Sequence, residues 1–505
     1  DANGNLLTTT SPEGLTTSYQ YDAENRLTSV TTPMGHKTGF VYNAIGQLVG
    51  TTNAMDGEQS AVYDADGNLT GETDPMGFET RYEYDALGRA TKRIHADGTT
   101  VEYTYDNNGN ITAIKDQRGF TTNYTYNAND QLATVTDPMG GVNVMEYTPA
   151  GHLSSVTDAE GGTESYAYDG AGNLAAKTDR NGNTTSYTYD GLNRVSSIVD
   201  GENGVTLYEY DEVGNVTALI RPNEGVIRYE YDDLDRATSM TDAEGHRTTY
   251  VYDKDGLLLS ETDPRGGVTK HEYDDEGKRI KTISPMGFVT LYSYDALGRL
   301  VATVDANQGE SKATYDANGR LTSVLTPMGF ATFYEYDSMG RLTKETQQDG
   351  TVLRYEYDEN GNLVKETDAK GGITAYTYDA NNRLTSRTDP EGDVVRYGYN
   401  ANHWITSAED GEGYVTEYQY DAGGNIVSVT DGRGNSTKFT YDGLDRLVMV
   451  VDAENGVTTY TYDEIGNVTA TSTPNDATVS SQYDKNGRKV SETDGEGYVT
   501  AYTYD

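Results

Sequence analysis

Aspartate recurs at two fixed places in a repeating pattern. Asp85 shows one, in Tyr84-Asp85-Ala86-Leu87-Gly88-Arg89, and Asp74 the other, in Asp74-Pro75-Met76-Gly77. The chain carries 81 acidic residues, so carboxylates are its most abundant reactive groups. Paired carboxylates can do acid–base chemistry, and clustered ones can hold calcium, which takes about six to eight oxygens. An active site, however, needs a break in symmetry, and these aspartates obey the repeat. A turn explains them, because an Asp side chain bonds the backbone ahead of it. No catalytic residue, cofactor or metal ligand is therefore assigned. Calcium pooled between neighbouring acidic loops is the alternative to turn carboxylates facing water. The six histidines, His36, His95, His152, His246, His271 and His403, fall at five different places in the pattern. They lack ligand spacing, and with no cysteine in the chain they read as surface residues.

The 43 tyrosines could form a stacking platform for bases or sugars. A net charge of −43 disfavours nucleic acid and anionic membrane. Cross-strand aromatic packing is the simpler account, with glycan binding kept as a lesser alternative. Trp404 is the single tryptophan and stands where most copies have Arg or Asn, which marks it as a candidate contact site or a local packing variant. No apolar run is long enough to insert in a membrane.

The element that positions all these groups is a 21-residue repeat. Tyrosine occupies every multiple of 21 from Tyr21 to Tyr504, twenty-four copies without insertion or deletion. Counting slots from that tyrosine as slot 0, residues 1–505 read as a single array, a piece of a longer chain. A fixed period of this size marks one supersecondary unit stacked on its neighbours.

Slot 1 is Asp or Asn in every copy but Thr148. Slot 4 is Gly, as Gly88 and Gly298, or one of Asn25, Asp130, Asn193, Asp235, Asn382, His403 and Asp445. These types tolerate a positive φ, so slot 4 closes a turn. Slots 11–14 form a second turn, with Pro75 at slot 12 and Gly77 at slot 14 as examples. Where slot 14 is not Gly, Gly57, Gly204, Gly225, Gly309 and Gly456 follow one place later, which suggests that the backbone requirement has moved by one residue. Only Asp476-Ala477 lacks it. Slots 5–10 are rich in Thr, Val and Leu, and slots 15–20 lead into the tyrosine with period-two alternation, which predicts two antiparallel strands per repeat.

Twenty-one is odd, whereas strand side chains alternate in twos. Tyr21, Tyr84, Tyr105, Tyr294 and Tyr336 can share a face only if the two turns differ in parity or every repeat holds a bulge. A three-residue first turn sets Tyr21 opposite Leu27. Arg279 and Lys489 strain that register, since they occupy the leucine slot.

The strings YDALGR at 84–89 and 294–299, TDPMG at 73–77 and 136–140, and the closing Y-x-Y-D resemble the RHS, or YD, repeat family. The family includes bacterial RHS polymorphic toxins, insecticidal toxin-complex cocoon components, cell-wall-associated YD proteins and animal teneurins. The resemblance implies an all-β fold: a continuous antiparallel hairpin meander coiled into a spiral shell, barrel or tube. It also implies a non-catalytic scaffold that encloses or displays another polypeptide, such as a C-terminal toxin domain. The expected setting is secreted or cell-surface, in a bacterium. The alternative is an extracellular structural or adhesive filament of copies placed end to end.

Overall fold

The computed structural model describes residues 1–475 and 477–504, so the Asp476 position lies outside the described residues. Among the described residues all regular elements are strands, forty-eight of them, in one antiparallel meander. Each repeat supplies a strand over slots 6–10, such as Leu27–Thr31, and one over slots 16–0, such as Thr16–Tyr21. Both start one residue later than the composition predicts, because slots 5 and 15 close the turns. By contacts the chain divides into two units. The first comprises Asp1–Thr121 and Tyr250–Ala375, and the second Thr122–Thr249 and Tyr376–Asp505.

The parity question is resolved by a bulge. Both turns have the same form. In the first, Asp22 N–H donates to Arg26 O and Asn25 N–H to Asp22 O. In the second, Thr32 N–H donates to His36 O and Gly35 N–H to Thr32 O. Tyr19 then faces Val30 and Gln20 faces Ser29, but the register shifts by one so that Tyr21 faces Leu27. The same shift recurs at Tyr84 opposite Ala90, Tyr105 opposite Ile111, Tyr294 opposite Leu300 and Tyr336 opposite Leu342. An extra residue per repeat turns an odd period into an even one, which holds every tyrosine on one face. Arg279 and Lys489 keep the register, opposite Tyr273 and Tyr483. Their long stems stay on the tyrosine face while the charges find partners: Arg279 lies 5.3 Å from the Tyr292 ring centre, and Lys489 Nζ 2.6 Å from Glu492.

Slots 17, 19 and 0 are half-buried and slots 16 and 18 mostly exposed, as in Glu79–Tyr84. Among the described residues only Ala218 and Ile227 are buried core apolar side chains. The tyrosine face is thus packed by its own cross-strand neighbours and not by a second layer. Such pairs contribute about 0.2–1 kcal/mol each, so stability builds up repeat by repeat.

All seven non-glycine residues expected at slot 4 have positive φ, from 57° at Asp445 to 68° at His403. Gly88, Gly298 and Gly77 lie at 74°, 76° and 86°. The expected displacement at slot 14 does not occur. Asp56, Asn203, Glu224, Gln308 and Asn455 themselves take φ of 60–66°. The turn hydrogen bonds, such as Asp56 N–H to Asn53 O, fix slot 14 as left-handed whatever residue is there. Gly57, Gly204, Gly309 and Gly456 answer a different need. A Cβ at these positions would come within 2.5–2.8 Å of the slot-11 side chain.

Candidate interaction surfaces

The slot-0 tyrosine does more than pack. Tyr84 Oη donates to Leu69 O at 2.7 Å, Tyr105 to Ala90 O at 2.7 Å, Tyr294 to Arg279 O at 3.0 Å and Tyr336 to Leu321 O at 2.8 Å. Each hydroxyl therefore ties its repeat to the one before. Burial pushes the Tyr84, Tyr105 and Tyr336 phenols above their ordinary range. Tyr166 is pushed up to about 12, chiefly by its hydrogen bond to Glu164.

The aspartates behave as turn residues. Asp85 Oδ1 accepts the N–H groups of Leu87 and Arg89, at 2.9 and 3.0 Å. Asp74 Oδ1 does the same for Met76 and Phe78, at 2.9 Å each. The other oxygen of Asp85 accepts from Arg89 Nε at 2.7 Å. These donors hold the Asp85 carboxyl below its usual range, the Arg89 guanidinium foremost. Both Asp85 oxygens thus already accept N–H donors in the folded turn. Among the described residues, no three His, Asp or Glu side chains converge as a metal site.

Slot 5 carries a role that the sequence reading missed. Arg89 also donates to Asp106 O at 3.0 Å and stacks 4.6 Å from the Tyr105 ring centre, in the next repeat. Arg26, Arg194, Arg299, Arg320, Arg341, Arg383, Arg446 and Arg488 make the same stack on the following tyrosine. The available signal was the four-residue Asp–Arg spacing in D-x-x-G-R. A guanidinium on these rings occupies a face that a sugar or base would need. Trp404 sits in this slot and, half-buried, packs on Tyr420 with ring centres 5.1 Å apart. It also borders a cavity of about 500 Å³ shared with Asp158, Glu160 and Asn402. His152 takes slot 5 too, stacked 4.7 Å from Tyr168. His152, His246 and His403 are exposed, as expected of surface residues, whereas His36, His95 and His271 are half-buried. Burial lowers the basicity of His95 and His271.

Within each unit the chain meets itself again twelve repeats later. Slot-11 turns of one stretch lie against slot-3 residues of the other. In the first unit Asn318 Nδ2 donates to Asp74 Oδ2 at 2.6 Å, and Asn360 to Asp116 at 2.7 Å. Ser11 Oγ donates to Asp255 at 2.6 Å, Thr32 donates to Glu276, and His36 Nδ1 lies 2.7 Å from Glu276. The Arg320 guanidinium stands 5.9 Å from the Phe78 ring centre. In the second unit Asn381 donates to Asp137 at 2.8 Å and Asn486 to Asp242 at 2.7 Å, while His403 Nε2 lies 3.1 Å from Asp137. A rim of turns on one stretch thus reads a rim of turns on the other.

These repeats and turns define a class, the YD-shell repeat proteins. The teneurin YD-shell family model matches residues 176–311, 302–452 and 388–505, and the RHS repeat model matches 1–37, 21–54, 63–100, 105–142 and 147–180. The chain belongs to this RHS/YD-repeat family. No curated protein sequence matches it. Among solved structures it is similar to TcdB2-TccC3 without its hypervariable C-terminal region, with a TM-score of 0.65 and 14% identity over 97% of this chain and 34% of the other. It is also similar to the Photorhabdus luminescens Tc holotoxin pore, with a TM-score of 0.56 and 12% identity over 96% and 37%. The TcdB2-TccC3-Cdc42 structure gives 0.53 and 13% over 93% and 36%. At these identities the likeness is one of fold. The chain spans about a third of the length of those structures.

Proposed function

We propose that this array is the wall of a hollow β-shell or tube that encloses or displays another polypeptide, such as a toxin domain downstream in the same chain. Its work is mechanical and non-catalytic, and its setting is extracellular, in a bacterium. The observation that carries the reading is the contact of slot-3 with slot-11 residues twelve repeats apart in both units. A meander that meets itself at a fixed interval supports a coil of two tiers, with twenty-four strands in each turn. Asn–Asp and Ser–Asp bonds between tiers then resist opening of the wall. The likeness to TcdB2-TccC3 supports the same architecture. The surface charge of −43 keeps such a wall soluble.

The test is protease protection. The array is expressed with the polypeptide that follows it, and the cleavage rate of that polypeptide is compared with the rate for the same segment alone. Protection that persists until the array unfolds supports enclosure. Equal cleavage rates, or solid rods without a lumen in electron micrographs, rule it out.

A further inference from the structure

The internal contact pairs slot-11 residues of repeats 0–11 with slot-3 residues of repeats 12–23. Two rims remain: slot 3 of repeats 0–11 and slot 11 of repeats 12–23. Both present apolar side chains more openly than the same slots do inside the contact. Leu87 on the first is 76% exposed, against 37% for Leu297 at the same slot inside the contact. Met328 on the second is 81% exposed, against 43% for Met76.

The two rims are also complementary to each other in register. Inside the contact, Asn at slot 3 bonds Asp at slot 11, as in Asn318–Asp74, and an acid at slot 3 bonds a hydroxyl at slot 11, as in Asp255–Ser11. On the remaining slot-3 rim the acids are Glu24 and Asp66. The same twelve-repeat rule sets them opposite Ser284 and Thr326, two of only three hydroxyl residues at slot 11 on the remaining rim. It sets Asn3, Asn108 and Asn129 opposite Asp263, Asp368 and Asp389. Arg26 falls opposite Phe288, matching Arg320 over Phe78. A slip of one repeat either way would set Glu24 against Asp263 or Asp305, acid against acid.

We propose that the two rims dock on each other between copies of this chain, which stack head to tail in the register of the internal contact. The occupant is a second copy because each rim matches the opposite rim of this same sequence. A different segment would have to reproduce that pattern of acids and hydroxyls. Such a contact is heterologous, so stacking extends the array by whole copies. The proposal does not depend on enclosure of cargo: an array that protects its cargo yet never stacks defeats this inference alone.

The absence of cysteine makes the contact directly readable. The full chain is studied at ~0.5 M salt, where the reach of acid–acid repulsion shrinks to a few ångströms. Glu24→Cys with Ser284→Cys gives a ladder of disulfide-linked multimers under a mild oxidant. Glu24→Cys with Thr326→Cys, two repeats out of register, does not. In sedimentation the mass of the wild-type chain grows with concentration. Glu24→Lys with Asp66→Lys weakens that association by at least about tenfold without shifting the melting curve, and adding Ser284→Glu with Thr326→Glu restores it. A wild-type chain that stays monomeric at its solubility limit overturns the proposal. So does equal cross-linking by the two cysteine pairs, or a lysine variant that assembles like wild type, which would point to pairing through the terminal strands Thr8–Thr10 and Val499–Ala501.

Discussion

Glu224 and Gln308 hold left-handed turn positions with φ of 60° and 65°, and neither side chain suits that conformation. For a residue with a Cβ this costs about 1–2 kcal/mol, partly offset by the freedom glycine would add to the unfolded chain. Glu224→Gly and Gln308→Gly are expected to stabilise their turns by up to about 1 kcal/mol, measured by local hydrogen exchange. Gly77→Ala should destabilise by about 1 kcal/mol, although open space surrounds the new methyl group, because φ alone opposes it. Tyr84→Phe keeps the ring and removes only the bond to Leu69 O, so its expected cost is about 0.5–1.5 kcal/mol. Loss of protection should appear in the repeats on both sides of Tyr84, since the bond joins them.

At the scale of the element, each hairpin is locked to the next by a slot-5 side chain that reaches forward. Arg89 does so with an ion pair, a carbonyl bond and a ring contact; Trp404 does so with the ring contact alone. Trp404→Arg is therefore expected to be neutral or mildly stabilising. Tyr420→Ala should red-shift the fluorescence of the single tryptophan and lower the melting temperature, because Trp404 loses the ring beneath it. An unchanged spectrum would mean that Trp404 does not pack there. The strands and both turns were legible in the sequence, since glycine, proline and alternating Thr and Tyr each leave a positional mark. The bulge was legible only as one of two ways to satisfy parity. Its residues carry no special type, and the choice between a bulge and unlike turns belongs to the hydrogen bonds.

For the molecule as a whole, charge and titration set the window of stability. The Asp22, Asp64, Asp85 and Asp106 carboxyls are lowered by donors that exist only in the folded turns: for Asp22 chiefly the Arg26 N–H, for Asp85 the Arg89 guanidinium, and for Asp64 and Asp106 the side-chain amides of Asn68 and Asn110. Their contribution is complete above about pH 4 and is lost as pH falls through the lowered folded values. The raised phenols of Tyr84, Tyr105 and Tyr166 act in the opposite sense, giving stability that is complete below about pH 10 and lost as pH rises. A plateau between these limits, with decline on both sides, is expected in denaturant titrations. At neutral pH, salt should raise the melting temperature by screening the net charge of −43. Acid also relieves that repulsion, so the acid decline is best measured at ~0.5 M salt, where the repulsion is already screened. Calcium and chelator are expected to give the same melting curve, because the Asp74 and Asp85 oxygens already accept N–H donors.

The period, the two turns, the strands and the pairing of Tyr21 with Leu27 are local matters, fixed within one repeat by backbone preference and side-chain alternation. They could be read from the sequence because each copy states them again. The interval at which the chain returns to itself belongs to no single repeat. It depends on the small twist and bend that each hairpin adds to the last, so only the tertiary structure could place Asn318 beside Asp74 and show that slot 3 speaks to slot 11. The amino acids for that recognition were present in the sequence all along. Without the twelve-repeat interval nothing distinguished Asn318, which has a partner twelve repeats away, from an ordinary turn residue.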